Sequence, residues 1–158
     1  MGRPLMARRY AARMSAESAR NKAVVHELTE HIWNRRALNR IPEFYAPEYV
    51  ADYRPYAPVR EGHAAIRGMV ERAWEAFPDY HEELHEVIAE GSFVVARFTI
   101  SGTQSGPWGV LPATGKRVSF EEIVILELRD GKVVRQRGIP DNLTALRQLG
   151  VRFAPLVP

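Results

Sequence analysis

The stretch Ser92-Phe93-Val94-Val95-Ala96-Arg97-Phe98-Thr99-Ile100-Ser101-Gly102-Thr103 is built for a strand with two covered faces. Its even residues Val94, Ala96, Phe98 and Ile100 are apolar, and so is the odd row Phe93, Val95 and Thr99 apart from Arg97. β-branched and aromatic residues in strict alternation predict an extended segment. Apolar character on both faces predicts helices against one and a second subunit against the other. Lys116–Leu128 and Lys132–Ile139 read the same way, Tyr80–Ala89 forms a preceding strand, and Glu90-Gly91 and Asp130-Gly131 make hairpin turns. Upstream the period changes. Val25, Leu28 and Ile32 recur at helical spacing within Ser18–Asn34, a short helix covers Asn39–Tyr45, and Ile66, Met69, Val70 and Ala73 stripe Gly62–Phe77 until Pro78 stops it. Tyr49–Tyr53 is a short strand, Arg54–Arg60 a loop, and Asn142–Gly150 a last helix with Gly150 as its stop. Helices followed by a meander give an α+β fold: a curved antiparallel sheet covered by about three N-terminal helices, with a short C-terminal helix.

With 158 residues, 46% hydrophobic and 26% charged, the chain fits one domain with a real core. A pI near 9.4 suggests nucleic acid until the charge is located. Residues 1–20 hold five arginines against Glu17 alone, and the remainder carries 17 basic and 18 acidic side chains. The body is therefore almost neutral, which removes the main support for nucleic-acid binding. We expect residues 1–17 to be a disordered basic extension, 18–150 the single domain and 151–158 a tail. No apolar run reaches membrane-spanning length, and the Arg8-Arg9 region lacks the apolar core of a secretory signal. Without cysteine there is no disulfide, thiolate nucleophile or Cys-ligated zinc, a composition that leans towards the cytoplasm.

His81-Glu82-Glu83-Leu84-His85 spells the H-E-x-x-H zinc signature, which requires a helix to bring both imidazoles to one metal. Pro78 has just ended a helix, and Val87-Ile88 before Glu90-Gly91 reads as a strand. Residues four apart in a strand are separated by about 13 Å, so we expect no metal site. His26, His31 and His63 read as structural, and no serine sits in a nucleophile elbow.

Three charged residues interrupt apolar surroundings. Arg97 breaks its strand's odd row, and Glu122 breaks the row Val118, Phe120, Val124, Leu126 and Leu128. Together they are either a structural ion pair or the polar floor of a ligand cavity. Asp141 stands where the last strand meets the last helix. It is either an N-cap or a general acid/base whose protonation is tuned by burial and by Arg97 or Arg137. The loop Gln104–Gly115, with Trp108 at its centre, is apolar enough to pack over something.

The run Gly106–Lys116, the Asp130-Gly131-Lys132-Val133 turn and the ending Pro140-Asp141 through Leu146-Arg147-Gln148-Leu149-Gly150 resemble SnoaL-like polyketide cyclases, of the nuclear transport factor two-like superfamily. The resemblance covers about residues 18–150. It implies a cone-shaped α+β fold, a homodimer packed through the sheet, a deep apolar pocket and cofactor-free acid/base closure of a polyketide. By that resemblance Asp141 is the catalytic carboxylate; from the residues themselves we add Arg97 as its catalytic partner, with Arg97 and Arg137 orienting the substrate or stabilising an enolate. Arg137, Asp52, Tyr53, Glu122, Val124 and Trp108 then contact substrate. Val124 stands where these cyclases place a pocket histidine, and Ala51-Asp52-Tyr53 where they often have a pocket Asn or His. Limonene epoxide hydrolase-like relatives use an Asp-Arg-Asp arrangement; Arg97 and Asp141 match two members, but Thr99 replaces the other aspartate. The leading expectation is a cyclase or isomerase acting on a small apolar carbonyl substrate; water activation at Asp141, or a non-catalytic ligand-binding dimer, are the alternatives.

Overall fold

The alternation of Ser92–Thr103 becomes the heart of a six-stranded sheet. The computed structural model describes residues 3–152. Strands β1 (Tyr45–Asp52), β2 (Arg60–Glu61), β3 (His81–Glu90), β4 (Phe93–Thr103), β5 (Arg117–Arg129) and β6 (Lys132–Pro140) lie in the order β2-β1-β6-β5-β4-β3. Neighbours are antiparallel except β1, which runs parallel to β6 and places Asp52 opposite Arg137. That parallel pair is absent from a simple meander and joins the two ends of the sequence. The expected β5–β6 hairpin is present, with Asp130 and Gly131 at φ 51° and 75°, the left-handed values of a two-residue turn.

Parity decides what the sheet encloses. Val94, Ala96, Phe98 and Ile100 of β4 and Val118, Phe120, Val124 and Leu126 of β5 are buried. They share one core with Val25, Leu28 and Ile32 of the first helical stretch and with Ile66 and Val70. These come from helices α1 (Arg3–Leu28, continued by a π-helical turn Thr29–Asn34) and α3 (Gly62–Ala76). A 3₁₀ turn at Leu38–Arg40, the short α2 (Ile41–Phe44) and α4 (Asn142–Leu149) complete the cover, with Gly150 at φ 94° ending α4 as its position suggested. In β3 a bulge between Leu84 and Glu86 leaves His85 and Glu86 both exposed and returns Val87 to the inner row. His81 and His85 therefore sit on a strand, as the sequence indicated. No described helix is long and apolar enough to cross a membrane.

The N-terminus departs from expectation. Helix α1 begins at Arg3, so the segment expected as a disordered extension over 1–17 is helical from residue 3 onward. The reason is local: beyond Pro4 the segment is rich in Ala, Arg, Met and Leu, strong helix formers with no breaker among them. Tertiary anchoring adds to this. Asn21 Nδ2 donates to the Gly91 carbonyl at 2.9 Å, and the Gly91 amide donates to Ser18 Oγ at 3.1 Å, fastening α1 across the β3–β4 hairpin. The expected tail 151–158 lies, from residue 153, outside the described residues.

Asn21 is buried, so removing its side chain leaves the Gly91 carbonyl without a partner. Asn21→Ala is expected to destabilise the protein by about 1–3 kcal/mol, read from urea unfolding, without altering the far-ultraviolet spectrum.

Candidate active site

Between the inner face of the sheet and the helices lies a cavity of about 610 Å³, within the roughly 300–1,000 Å³ of small-molecule sites. Trp33, Phe77, Phe98 and Phe120 supply aromatic wall. Trp108, from the loop after β4, packs edge-on against Phe77 at 5.5 Å and tilted over Phe120 at 6.0 Å. The apolar loop thus packs over the cavity. Three carboxyls enter this lining: Glu75, which is exposed, and Glu82 and Glu122, which are buried.

Glu122 is an even residue of β5, between the inward Phe120 and Val124, so the pleat carries it into the core. Its Oε1 is sealed from solvent with no hydrogen-bond partner. Room for it comes from Gly138 of β6, where a Cβ would run into both Glu122 Oε1 and the Tyr53 ring. Beside it runs a polar chain: Tyr49 Oη donates to Gln136 Oε1 at 3.2 Å, and Gln136 Nε2 donates to Tyr53 Oη at 2.5 Å. Tyr53 thereby accepts from Gln136, and its ring and hydroxyl lie beside the Glu122 carboxyl. Burial pushes the Glu122 carboxyl up to about 7, with the Tyr53 hydroxyl opposing the rise.

Glu82 enters from β3, whose outer edge is otherwise unpaired here. Asn34, at the end of the π-helical turn, serves as a substitute strand: the Glu82 amide donates to Asn34 Oδ1 at 2.8 Å, and Asn34 Nδ2 donates to the Glu82 carbonyl at 3.0 Å. The Glu82 side chain is buried, and Tyr80 Oη donates to its Oε1 at 2.6 Å. Trp33 and Trp74 flank the Tyr80 ring at 6.0 and 6.5 Å. Burial pushes Glu82 up to about 8; the Tyr80 bond opposes this, and the nearby Glu122 adds to it.

The family model for SnoaL-like polyketide cyclase matches residues 23–149. The chain belongs to this family. Aklanonic acid methyl ester cyclase DnrD of Streptomyces peucetius is 30% identical over 122 residues, covering 75% of this chain and 83% of that protein. TsrD of Streptomyces laurentii is 32% identical with a TM-score of 0.72, over 81% of this chain and 96% of that structure. A SnoaL-like polyketide cyclase from Agrobacterium tumefaciens has the same fold, at TM-score 0.68 and 23% identity over 80% and 95% of the two chains.

Within this SnoaL-like frame the residues singled out from the sequence divide cleanly. Tyr53, Glu122, Val124 and Trp108 line the cavity. Arg97, Arg137, Asp52 and Asp141 do not. Arg97 is an odd residue and projects from the outer face, where its Nε meets Glu86 at 3.0 Å and its Nη1 meets Glu121 at 2.5 Å. Its partner is thus the neighbour of Glu122 rather than Glu122 itself, so neither the expected Arg97–Glu122 pair nor a shared polar floor forms. Arg137 is exposed on that same outer side. Asp52 also faces away, accepting from Arg54 and Arg135 at 2.8 Å, and those guanidiniums, Arg54 foremost, hold its carboxyl well below the usual range. Asp141 takes the N-cap role. Its Oδ1 accepts from the Thr144 amide at 3.0 Å, and it lines a smaller neighbouring depression with Glu121, Glu122 and Ile139. That contact with Thr144 lowers its affinity for protons, the reverse of a desolvated acid.

Glu82, Tyr80 and Gln136 were not singled out for the pocket from the sequence. One signal for Glu82 was available. In a strand, Tyr80, Glu82 and Leu84 share a face, which puts an acid between two core residues. The H-E-x-x-H match drew attention to the histidines on the opposite face.

These two raised carboxyls set a pH dependence for folding. Below about pH 4.5 both are protonated folded or unfolded and contribute nothing. From there upward the unfolded chain ionises while the folded chain does not, so stability is lost as pH rises through 7 and 8. The slope approaches about 1.4 kcal/mol per pH unit per group. Urea unfolding at pH 5.5 and 8.0 is expected to show lower stability at 8.0, and Glu122→Gln is expected to shrink the difference.

Proposed function

We propose that this SnoaL-like protein is a cytoplasmic, cofactor-free cyclase that closes a ring on an apolar polyketide by intramolecular aldol addition, with Glu122 as the base. The observation that carries the reading is a buried carboxyl in an aromatic-walled cavity, one oxygen sealed without a partner and space left for it by Gly138. A carboxylate stripped of water is a stronger base than one in solution. At neutral pH it exists in both forms, which suits removal of a proton from the carbon between two carbonyls. The Tyr53 hydroxyl, aligned by Gln136, steadies the ionised form. The aromatic walls hold the conjugated substrate in a reactive fold and exclude water that would quench the enolate.

Aklanonic acid methyl ester, named for the peucetius relative, is the natural first substrate, and solvent deuterium entering an aryl β-keto ester reports the base step alone. Glu122→Gln is expected to lower both by about 10²–10⁴-fold. Asp141→Asn, at the α4 N-cap, and Arg97→Met, on the outer face, are expected to stay within about threefold of the parent. Loss of activity in Asp141→Asn with Glu122→Gln unaffected would move the base to α4 and sink this assignment.

The same reading includes a homodimer formed through the outer face of the sheet. Ile88, Phe93, Ile123 and Ile139 are 68%, 45%, 45% and 70% exposed there, an apolar surface crossed by the Arg97 ion pairs. Light scattering is expected to give twice the chain mass for the parent protein and a monomer for Ile139→Asp. A monomeric parent would refute the pairing.

A further inference from the structure

We infer that Glu82, oriented by Tyr80, is the proton donor of this reaction, delivering a proton from its Oε2 to the carbonyl oxygen that the enolate attacks. The inference rests on Glu122 being the base and adds a second catalytic residue on the opposite wall.

Geometry supports it first. Glu82 and Glu122 lie on strands that flank β4, opposite Ile100 and Phe98 respectively, with both side chains on the inner face. Two strand spacings across and two residues along separate their backbones by about 12 Å, and the Phe98 and Ile100 side chains floor the gap between them. A substrate lying across that floor meets one carboxyl at each end.

The hydrogen bonds then define which oxygen works. Tyr80 donates to Oε1, so Oε1 is the acceptor of the carboxyl and the acidic hydrogen belongs on Oε2. Among the described residues Oε2 has no hydrogen-bond partner, and Glu82 is part of the cavity lining. Asn34 grips the Glu82 backbone from both sides, and two tryptophans hold Tyr80, so the donor is aimed rather than mobile. No structural duty accounts for a carboxyl here. A leucine would fill the space without a desolvation cost.

Electrostatics then assigns the two roles. The titratable groups facing Glu82 are Tyr80 beside it, Glu122 beyond β4 and Tyr45 from β1; burial raises both tyrosines. Burial raises both carboxyls and the Glu122 charge raises Glu82 further, so the two resist ionising together and a proton stays on Glu82 while Glu122 is charged. One acid and one base therefore coexist around neutral pH.

The step balances within this pair. Glu122 removes a proton from the carbon between two carbonyls, leaving an enolate. The enolate carbon forms a bond to a second carbonyl carbon as that carbonyl's π bond breaks. The resulting alkoxide takes the Glu82 proton and becomes a hydroxyl. The cycle closes when the proton on Glu122 returns to Glu82 through solvent, with no oxidant or reductant required.

The test is the pH profile of kcat on aklanonic acid methyl ester for the parent, Glu82→Gln and Tyr80→Phe, with deuterium exchange on an aryl β-keto ester alongside. The parent is expected to show an ascending limb from Glu122 and a descending limb from Glu82. Glu82→Gln is expected to lose about 10²-fold in ring closure and the descending limb with it, while retaining deuterium exchange within threefold. Tyr80→Phe is expected to shift the descending limb. Binding of 4-nitrophenolate, an enolate mimic seen by its absorbance, gives a readout without turnover: parent affinity falls at least tenfold across the descending limb, and Glu82→Gln shows no such fall. Ring closure, descending limb and phenolate binding all unchanged in Glu82→Gln would overturn the inference. So would a loss of activity matched by lower stability with the descending limb intact. If Glu122→Gln alone leaves exchange untouched, the failure belongs to the base assignment.

Discussion

Two carboxyl groups enclosed by aromatic side chains cannot both be ionised without a large desolvation and repulsion cost. Much of the local construction answers that constraint. Gly138 leaves room for one of them, Gln136 orients the hydroxyl beside it, Tyr80 bonds the other and Asn34 holds its backbone in place. A core of this size could be filled with leucine and valine at no such cost. That the chain keeps two acids inside instead is the strongest physical argument for chemistry there. The outer face solves the opposite problem. Its charges are paired in the open, as Arg97 is with Glu86 and Glu121, where each ion pair contributes little to stability.

The architecture was legible because its signals are local. Alternation marked β4, β5 and β6, helical spacing marked α3, and glycine placed the turns. The parallel seat of β1 beside β6 was not legible, since no local pattern says which edge a short strand will join. The site was legible in part, and one physical quantity divides success from failure. A residue's parity within a strand is readable, but which parity faces inward is settled by the helices. Both rows of β4 are apolar, so Arg97 was equally consistent with either face. Glu122 sits in a row whose other members are all large and apolar, which pointed inward correctly. Asp141 was ambiguous for another reason. A cap and a catalytic carboxylate occupy the same place at a strand-to-helix junction, and only the direction of the side chain separates them.

Membership in the SnoaL-like family and the arrangement of the cavity are separate kinds of information. The family match covers the frame, including the helices and loops that make a cavity in the first place. Val124, where the resemblance leads one to expect a pocket histidine, leaves an apolar patch of wall one inward position from Glu122. The acid/base pair proposed for this chain accordingly uses glutamates of two different strands, each beside a tyrosine, and not the carboxylate at the helix junction.

The parallel contact between β1 and β6 joins the first strand of the chain to the last. Tyr53 and Gln136, hydrogen-bonded across that seam, are 83 residues apart. A ribosome releasing the chain in order exposes β1 long before its neighbour exists, and the partner edge must be found by closing most of the domain into a loop. Contacts of such long range are entropically costly and late to form. The hydroxyl that steadies Glu122 is thus among the last groups to reach its position. Helices and hairpins can assemble early, but the cavity acquires its chemistry only at the final closure of the sheet.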